Sequence, residues 1–129
     1  MNKILVEVSI GELLDKISIL EIKKSKISDP VKLQFINDEY AVLKKQFDEN
    51  VRSDGELDNL FKSLKEINSK LWVIEDDKRL CEKKSDFGEK FIKLSRDVHF
   101  LNDDRAKIKL KINNHTGSKI KEIKEYTNY

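Results

Sequence analysis

Between Leu57 and Ile112, apolar residues recur at alternating spacings of three and four, with one interruption near Lys84. This spacing keeps apolar side chains on one face of an α-helix, and several successive heptads of it let two helices pack along their length. The segment therefore predicts a long, coiled-coil-like antiparallel hairpin. The apolar positions inside it are Leu60, Leu64, Ile67, Leu71, Ile74, Phe87, Phe91, Leu94, Val98, Leu101 and Ile108.

The pattern also predicts the register of this hairpin. We expect one helix from Asp54 to about Lys84, a turn near Lys84 and Ser85, and a second helix from Asp86 to about Asn114. Positions whose numbers sum to about 168 or 169 then face each other. The predicted pairs are Cys81 with Phe87, Leu71 with Val98, Ile67 with Leu101 and Leu57 with Ile112.

A shorter hairpin is predicted over residues 10–50. Its first helix should run from Ile10 to about Ile27 and its second from Pro30 to about Asn50, because Asp29 and Pro30 end one helix and begin the next. Apolar residues again recur at spacings of three and four. If the chain reverses at Asp29, the facing pairs are Ile10 with Phe47, Leu14 with Leu43 and Ile17 with Tyr40.

Capping residues support these helix starts. Ser9 and Ser53 each precede a glutamate by three positions, which is the pattern of a capping box, and Asp86 stands three residues before Glu89. We therefore expect Ser9, Ser53 and Asp86 to cap three of the helices.

Two terminal segments lie outside the hairpins. Residues 3–8 are apolar and β-branched, which predicts a short strand or an extended arm, and Lys119–Tyr129 has the spacing of a short helix. The helical contacts of that tail would come from Ile120, Ile123 and Tyr126. The expected fold is one all-α domain over residues 1–129, with a four-helix arrangement: arm 1–9, short hairpin 10–50, long hairpin 54–114 and tail 118–129.

Composition narrows the class of protein. Hydrophobic residues make up 38% of the chain and charged residues 39%, as expected of helices with one buried stripe and wide solvated faces. A net charge of +2 predicts no nucleic-acid partner, and no apolar run is long enough for a membrane span. Because Cys81 is the only cysteine, the sequence favours a cytoplasmic protein.

Arg105 is the main charged residue on the predicted seam, where the register places it opposite Leu64. A buried arginine is costly without a partner, so either an acid reaches it or the seam opens there. Glu12 and Asp15 of the first helix are the expected acids. The candidate binding residues are Arg96, His99, Asn102, Asp103, Arg105, Lys109, Glu12 and Asp15.

These residues have two interpretations. In the interpretation that we favour, they form a solvated helix face with one paired arginine. In the other, they bind a small anion, to which Arg105 donates two hydrogen bonds as a bidentate donor. The sequence holds no glycine-rich phosphate loop and no catalytic motif, so we expect no catalytic residues and no cofactor. His99 and Asp103 supply only two potential metal ligands, so no metal site is expected.

Two stretches resemble a family of small uncharacterised proteins from bacteria and their phages, classed only as a domain of unknown function. The stretches are VSIGELLDKISILEIK at residues 8–23 and, within 96–126, NDDRAKIKLKIN followed by GS and KEIKEY. The resemblance implies that the family motifs include Gly11, Glu12, Asp15, Lys16, Asn102, Asp103, Arg105, Ala106, Lys109 and Asn113. It also implies that such proteins occur near glycosyltransferases of surface-polysaccharide biosynthesis, and it implies no particular reaction.

The sequence as a whole favours an interaction or accessory module over an enzyme. Two long amphipathic helices and an unpaired N-terminal segment leave apolar edges uncovered, so we expect a homodimer. The alternative is a protein, with or without enzymatic activity, that binds a small anion or a nucleotide sugar around Arg105.

Overall fold

The computed structural model describes all 129 residues and contains four helices and no strand. The helices are α1 (Ile10–Lys26), α2 (Pro30–Asn50), α3 (Gly55–Lys83) and α4 (Glu89–Thr116). The predicted all-α fold of two antiparallel hairpins is confirmed, with α2 at its predicted bounds. None of the four helices combines the length and the apolar composition needed to cross a membrane.

Two helix starts follow the predicted capping chemistry. The Ser9 hydroxyl accepts a hydrogen bond from the Glu12 N–H at 3.0 Å, and the Asp29 carboxylate accepts one from Val31 at 3.0 Å. Pro30 occupies the first position of α2, where its missing N–H costs no hydrogen bond. The breaks between helices at the N-terminal end therefore follow from local sequence.

The other two caps were predicted wrongly. Asp54, not Ser53, caps α3 by accepting the Leu57 N–H at 2.8 Å, because a carboxylate directly before the helix reaches the free N–H groups first. Asp86 does not cap α4. Its N–H donates to the Cys81 carbonyl at 2.8 Å, and it belongs to a turn in which Ser85 has a φ of 54°, so α4 begins only after Gly88.

Helix α1 occupies the centre of the molecule. It packs against α2, α3 and α4, whereas the backbone of α2 approaches α1 alone among the helices. The fully buried cluster consists of Leu14, Ile17, Leu57, Leu64 and Ile112. The other residues predicted to face each other across the short hairpin, Ile10, Tyr40, Leu43 and Phe47, pack around this cluster.

The long hairpin keeps the predicted register at both ends. His115 lies 2.9 Å from Asp54 near the open end, and the Lys78 ammonium lies 5.8 Å from the centre of the Phe91 ring near the turn. The position numbers of each pair sum to 169. Leu57 and Ile112, a predicted pair, are both in the buried cluster.

The two chain ends contain no regular structure. Residues 1–8 form an exposed arm rather than a strand, and no backbone hydrogen bond joins them to the helices. The predicted C-terminal helix is wrong: Gly117 adopts a left-handed conformation (φ 67°) that reverses the chain, and Ile120, Ile123 and Tyr126 remain exposed. Such a helix would have no apolar surface on which to bury its stripe.

Gly11 lets α1 approach α4 closely. A Cβ at this position would lie 2.6 Å from the Lys109 carbonyl oxygen and 2.9 Å from the Asn113 side-chain oxygen. Because the nearest atom belongs to the α4 backbone, the two helices would have to move apart to accommodate a methyl group.

We expect Gly11→Ala to lower the free energy of unfolding by about 2 kcal/mol, the usual effect of overpacking. Gly55→Ala is the matched control, because no atom lies within 4 Å of the added Cβ; it should be neutral or slightly stabilising. Urea unfolding followed by circular dichroism measures both, and equal effects would contradict the close-packing explanation.

Candidate functional site

The Arg105 guanidinium forms a bidentate ion pair with the Asp15 carboxylate. Arg105 Nε donates to Asp15 Oδ1 at 2.9 Å and Nη2 donates to Oδ2 at 2.5 Å. The Asp15 side chain is only 2% exposed and that of Arg105 is 29% exposed. The charge on the seam thus receives an acid from the first helix, as expected of a buried arginine.

Two neutral side chains complete the surroundings of Asp15. The Asn68 amide donates to Asp15 Oδ1 at 2.9 Å and to the Ser18 hydroxyl at 2.8 Å, and Ser18 donates to the Asp15 carbonyl at 2.7 Å. No buried side-chain nitrogen or oxygen in the structure lacks a hydrogen-bond partner. This arrangement joins α1, α3 and α4 through one carboxylate.

Lys109 forms a second charged contact one turn further along α4. Its ammonium lies 2.6 Å from Glu12 and 3.2 Å from Glu122 of the tail, and 4.0 Å from Asp15. The side chain is 10% exposed. Three carboxylates therefore surround one buried ammonium, and Arg105 supplies the second positive charge.

The first N–H groups of α1 bind the far end of the chain. Gly11 donates to the Asn113 side chain at 2.7 Å, and Ile10 donates to the Ser118 hydroxyl at 3.1 Å. Helix starts leave such N–H groups without partners inside the helix. Residues more than 100 positions away satisfy them here, so the start of α1 is attached to the end of α4.

The electrostatics favour the ionised states of Asp15, Arg105 and Lys109. Burial opposes ionisation of Asp15, but hydrogen bonds from Arg105 and Asn68 and the nearby positive charges lower its pKa below the ordinary value. The hydrogen bond to Asp15 raises the pKa of Arg105 against the effect of burial. Burial likewise opposes the charge on Lys109, yet Glu12 and Asp15 raise its pKa. The groups stabilise one another as ions.

The structure divides the predicted site residues into two groups. Five of them come together in the network just described, and Asn102 belongs to it through a 3.3 Å contact with Arg105. The other four predicted residues that belong to the network are Glu12, Asp15, Arg105 and Lys109.

Arg96, His99 and Asp103 lie elsewhere on α4. His99 stacks beside Phe100 at 4.2 Å between ring centres, and Arg96 lies 5.9 Å from the Phe100 ring. Asp103 accepts a hydrogen bond from the Tyr129 hydroxyl, which attaches the end of the tail to α4. These three side chains therefore do not face the same space as Asp15.

A shallow groove of about 410 Å³ lies between α1 and α3 beside the network. Arg105 and Arg79 both line it, together with Trp72 and the acids Glu75 and Asp76. Arg79 contacts Glu75 at 3.3 Å. The groove thus contains two arginines and two acids, and no group of three or more His, Cys, Asp or Glu side chains in the structure is arranged to hold a metal ion.

Sequence reasoning overlooked four network members. Asn68 lies four residues after Leu64 and three before Leu71, so it is a polar residue at a buried seam position. Ser18 stands in the same relation to Leu14. That pattern could have identified both. Ser118 and Glu122 had no such signature, because their contacts depend on the reversal of the chain at Gly117.

Residues 4–129 match a family of unknown function, DUF6165, and the chain belongs to this family. No curated protein matches the chain, and neither does any solved structure. The two motif stretches that suggested such a family meet in space: Gly11 contacts Asn113, Glu12 contacts Lys109, and Asp15 contacts Arg105. The motifs are thus two sides of one contact between α1 and α4.

Removal of the guanidinium tests the energetic role of the pair. We expect Arg105→Ala to lower the free energy of unfolding by about 3 kcal/mol, because the Asp15 carboxylate would remain buried without its counter-charge. Urea unfolding measures the loss. Arg79→Ala is the control; that side chain is 74% exposed, and its surface ion pair should contribute less than about 1 kcal/mol.

The double variant Asp15→Ala/Arg105→Ala sharpens this test. If the two groups stabilise each other, the double variant should lose less than the sum of the two single losses. Additive losses would mean that the pair contributes nothing beyond packing.

The lowered pKa of Asp15 predicts acid sensitivity. A carboxylate with a depressed pKa in the folded state contributes stability above its unfolded pKa, about 3.9, and this contribution is lost as the pH falls through the folded pKa. The urea midpoint of the wild type should therefore fall more steeply below about pH 4 than that of Asp15→Asn. Parallel curves would contradict the assignment.

Proposed function

We propose that this protein is a helical interaction module that self-associates and does not catalyse a reaction. The supporting observation is that more large apolar side chains are exposed than buried. Eighteen large hydrophobic side chains are exposed, whereas ten hydrophobic residues are buried. Exposed apolar side chains that lie close together are typical of surfaces that bind another protein.

The exposed apolar side chains are concentrated in identifiable places. One is the arm, where Ile4 and Leu5 are each 90% exposed. Another is an open depression between α3 and α4, in which the exposed Val73 and Phe100 lie beside Ile74 and Leu101. Residues of α3 and α4 alone line this depression, and the backbone of α2 approaches only α1, so α2 does not cover it. Both places are available to a partner.

The charged network supports the same proposal. Arg105 already donates two hydrogen bonds to Asp15, and Lys109 already donates to Glu12 and Glu122. An incoming anion would have to displace these carboxylates from their hydrogen bonds. The network therefore fits a role in fixing the helices that present the apolar surfaces.

Size-exclusion chromatography with light scattering tests self-association over a range of protein concentrations. We expect a mass near twice the 15.1 kDa of one chain at high concentration, with dissociation on dilution. A strict monomer at every concentration would contradict the proposal.

The alternative is binding of a small anion or a nucleotide sugar, with a place in surface-polysaccharide biosynthesis. Its support is the pair of arginines, Arg79 and Arg105, on the groove beside Trp72. Thermal unfolding in the presence of inorganic phosphate or UDP-glucose separates the two proposals. A saturable increase in melting temperature that Arg79→Gln abolishes would replace the interaction module with the anion-binding protein.

A further inference from the structure

The N-terminal arm has a sequence that is complementary to itself. Within Lys3-Ile4-Leu5-Val6-Glu7, the charges at the two ends are opposite and equally distant from Leu5. If two copies of this segment run antiparallel about Leu5, Lys3 of one copy faces Glu7 of the other at both ends. Ile4 then faces Val6, and Leu5 faces Leu5.

The arm is free to make such a pairing. Its backbone forms no hydrogen bond with the rest of the molecule, and neither Lys3 nor Glu7 has an ion-pair partner. Ile4, Leu5 and Val6 are 90%, 90% and 75% exposed. β-Branched and aliphatic residues of this kind favour strands, and unpaired backbone groups favour the addition of a second strand.

We propose that the arms of two copies pair as an antiparallel two-stranded ribbon centred on Leu5, and that this ribbon forms the dimer. The proposal rests on the self-association proposed above and identifies its interface. The second copy is the occupant because the arm's charges complement those of an identical arm. A shift of one or two residues in either direction would remove both facing pairs of Lys3 and Glu7.

The ribbon would have two different faces, because side chains alternate along a strand. One face carries Lys3, Leu5 and Glu7 from each copy. The other carries Ile4 and Val6 at its centre, with Val8 of each copy facing Asn2 of the other at its ends. Its centre is apolar, so it needs a surface to cover it.

The helical body offers such a surface beside the arm. Ser118 receives the Ile10 N–H and donates to the Ile120 carbonyl, so the exposed Ile120 lies at the base of the arm. Residues at this base are therefore in a position to pack against the apolar face of the ribbon.

Charge reversal tests the pairing, with sedimentation velocity as the readout. Lys3→Glu places two glutamates opposite each other at both ends, and Glu7→Lys places two lysines there. Each variant should raise the dimer dissociation constant at least about tenfold. The double variant Lys3→Glu/Glu7→Lys restores opposite charges and should return to within about threefold of the wild type.

An equimolar mixture of the two single variants provides an independent check. Lys3→Glu carries two acids in the arm and Glu7→Lys carries two bases, so the two chains should form a heterodimer with near wild-type affinity. Lys32→Glu and Glu39→Lys are the matched controls, since both residues are exposed on α2 and outside the arm. These controls should leave the dissociation constant unchanged.

A cysteine at the centre tests the register directly. In a Cys81→Ser background, Leu5→Cys should form a disulfide between copies on mild oxidation, because directly opposed residues lie about 5 Å apart between Cα atoms. Val8→Cys should not, because the two cysteines would be about 20 Å apart along the ribbon. Since no backbone hydrogen bond joins the arm to the helices, circular dichroism should show unchanged helix content in every arm variant.

The outcomes distinguish this proposal from the one on which it rests. A wild type that is monomeric at every concentration overturns both. A dimer that resists the arm variants but is lost in Val73→Glu/Phe100→Glu overturns the ribbon and leaves self-association in place through the long hairpin. Failure of the double variant to recover, or equal cross-linking at Leu5 and Val8, overturns the pairing about Leu5.

Discussion

The position of α1 depends on the buried carboxylate of Asp15. An ion in this location is unfavourable unless positive charge and hydrogen-bond donors surround it, and Arg105, Asn68 and Lys109 meet that requirement from two other helices. Separating such a pair is costly because it leaves a buried charge alone. The contact therefore constrains the rotation and the axial position of α1 against the long hairpin, because a slip would leave a charge without its partner.

The apolar contacts alone would leave the position of α1 against the long hairpin less closely defined. Its buried residues Leu14 and Ile17 are aliphatic, and aliphatic side chains tolerate shifted packing when volume is preserved. The close approach at Gly11 adds a steric constraint at one end of α1, and the Asp15 network adds an electrostatic one a turn later. Residues 8–23 and 96–126 together supply both constraints.

Much of the fold could be predicted from local and periodic features. The heptad spacing identified the long hairpin and its register, and Asp29 with Pro30 defined the start of α2. The errors arose where a tertiary contact or a turn outweighed a local preference. Asp86 matched the pattern of a cap but is part of the turn after α3, and the tail had helical spacing but no surface to cover its apolar side.

The network was predictable only in part, for a similar reason. A charge on the seam implied a buried acid, and α1 supplied one at Asp15. The periodicity did not indicate that His99 and Asp103 would both contact Tyr129, since that depends on the path of the tail.

The hydrogen bonds that join Ile10 to Ser118 and Gly11 to Asn113 have a consequence for how the chain folds during synthesis. The ribosome produces α1 before the other three helices, but the residues that complete its environment emerge only with α4 and the segment that follows it. Until then, Asp15 has neither Arg105 nor Lys109 beside it, and the apolar stripe of α1 has only α2 and then α3 to cover it. The central helix is thus made before the helix that completes its surroundings, so a chain truncated before α4 would leave one side of α1 uncovered.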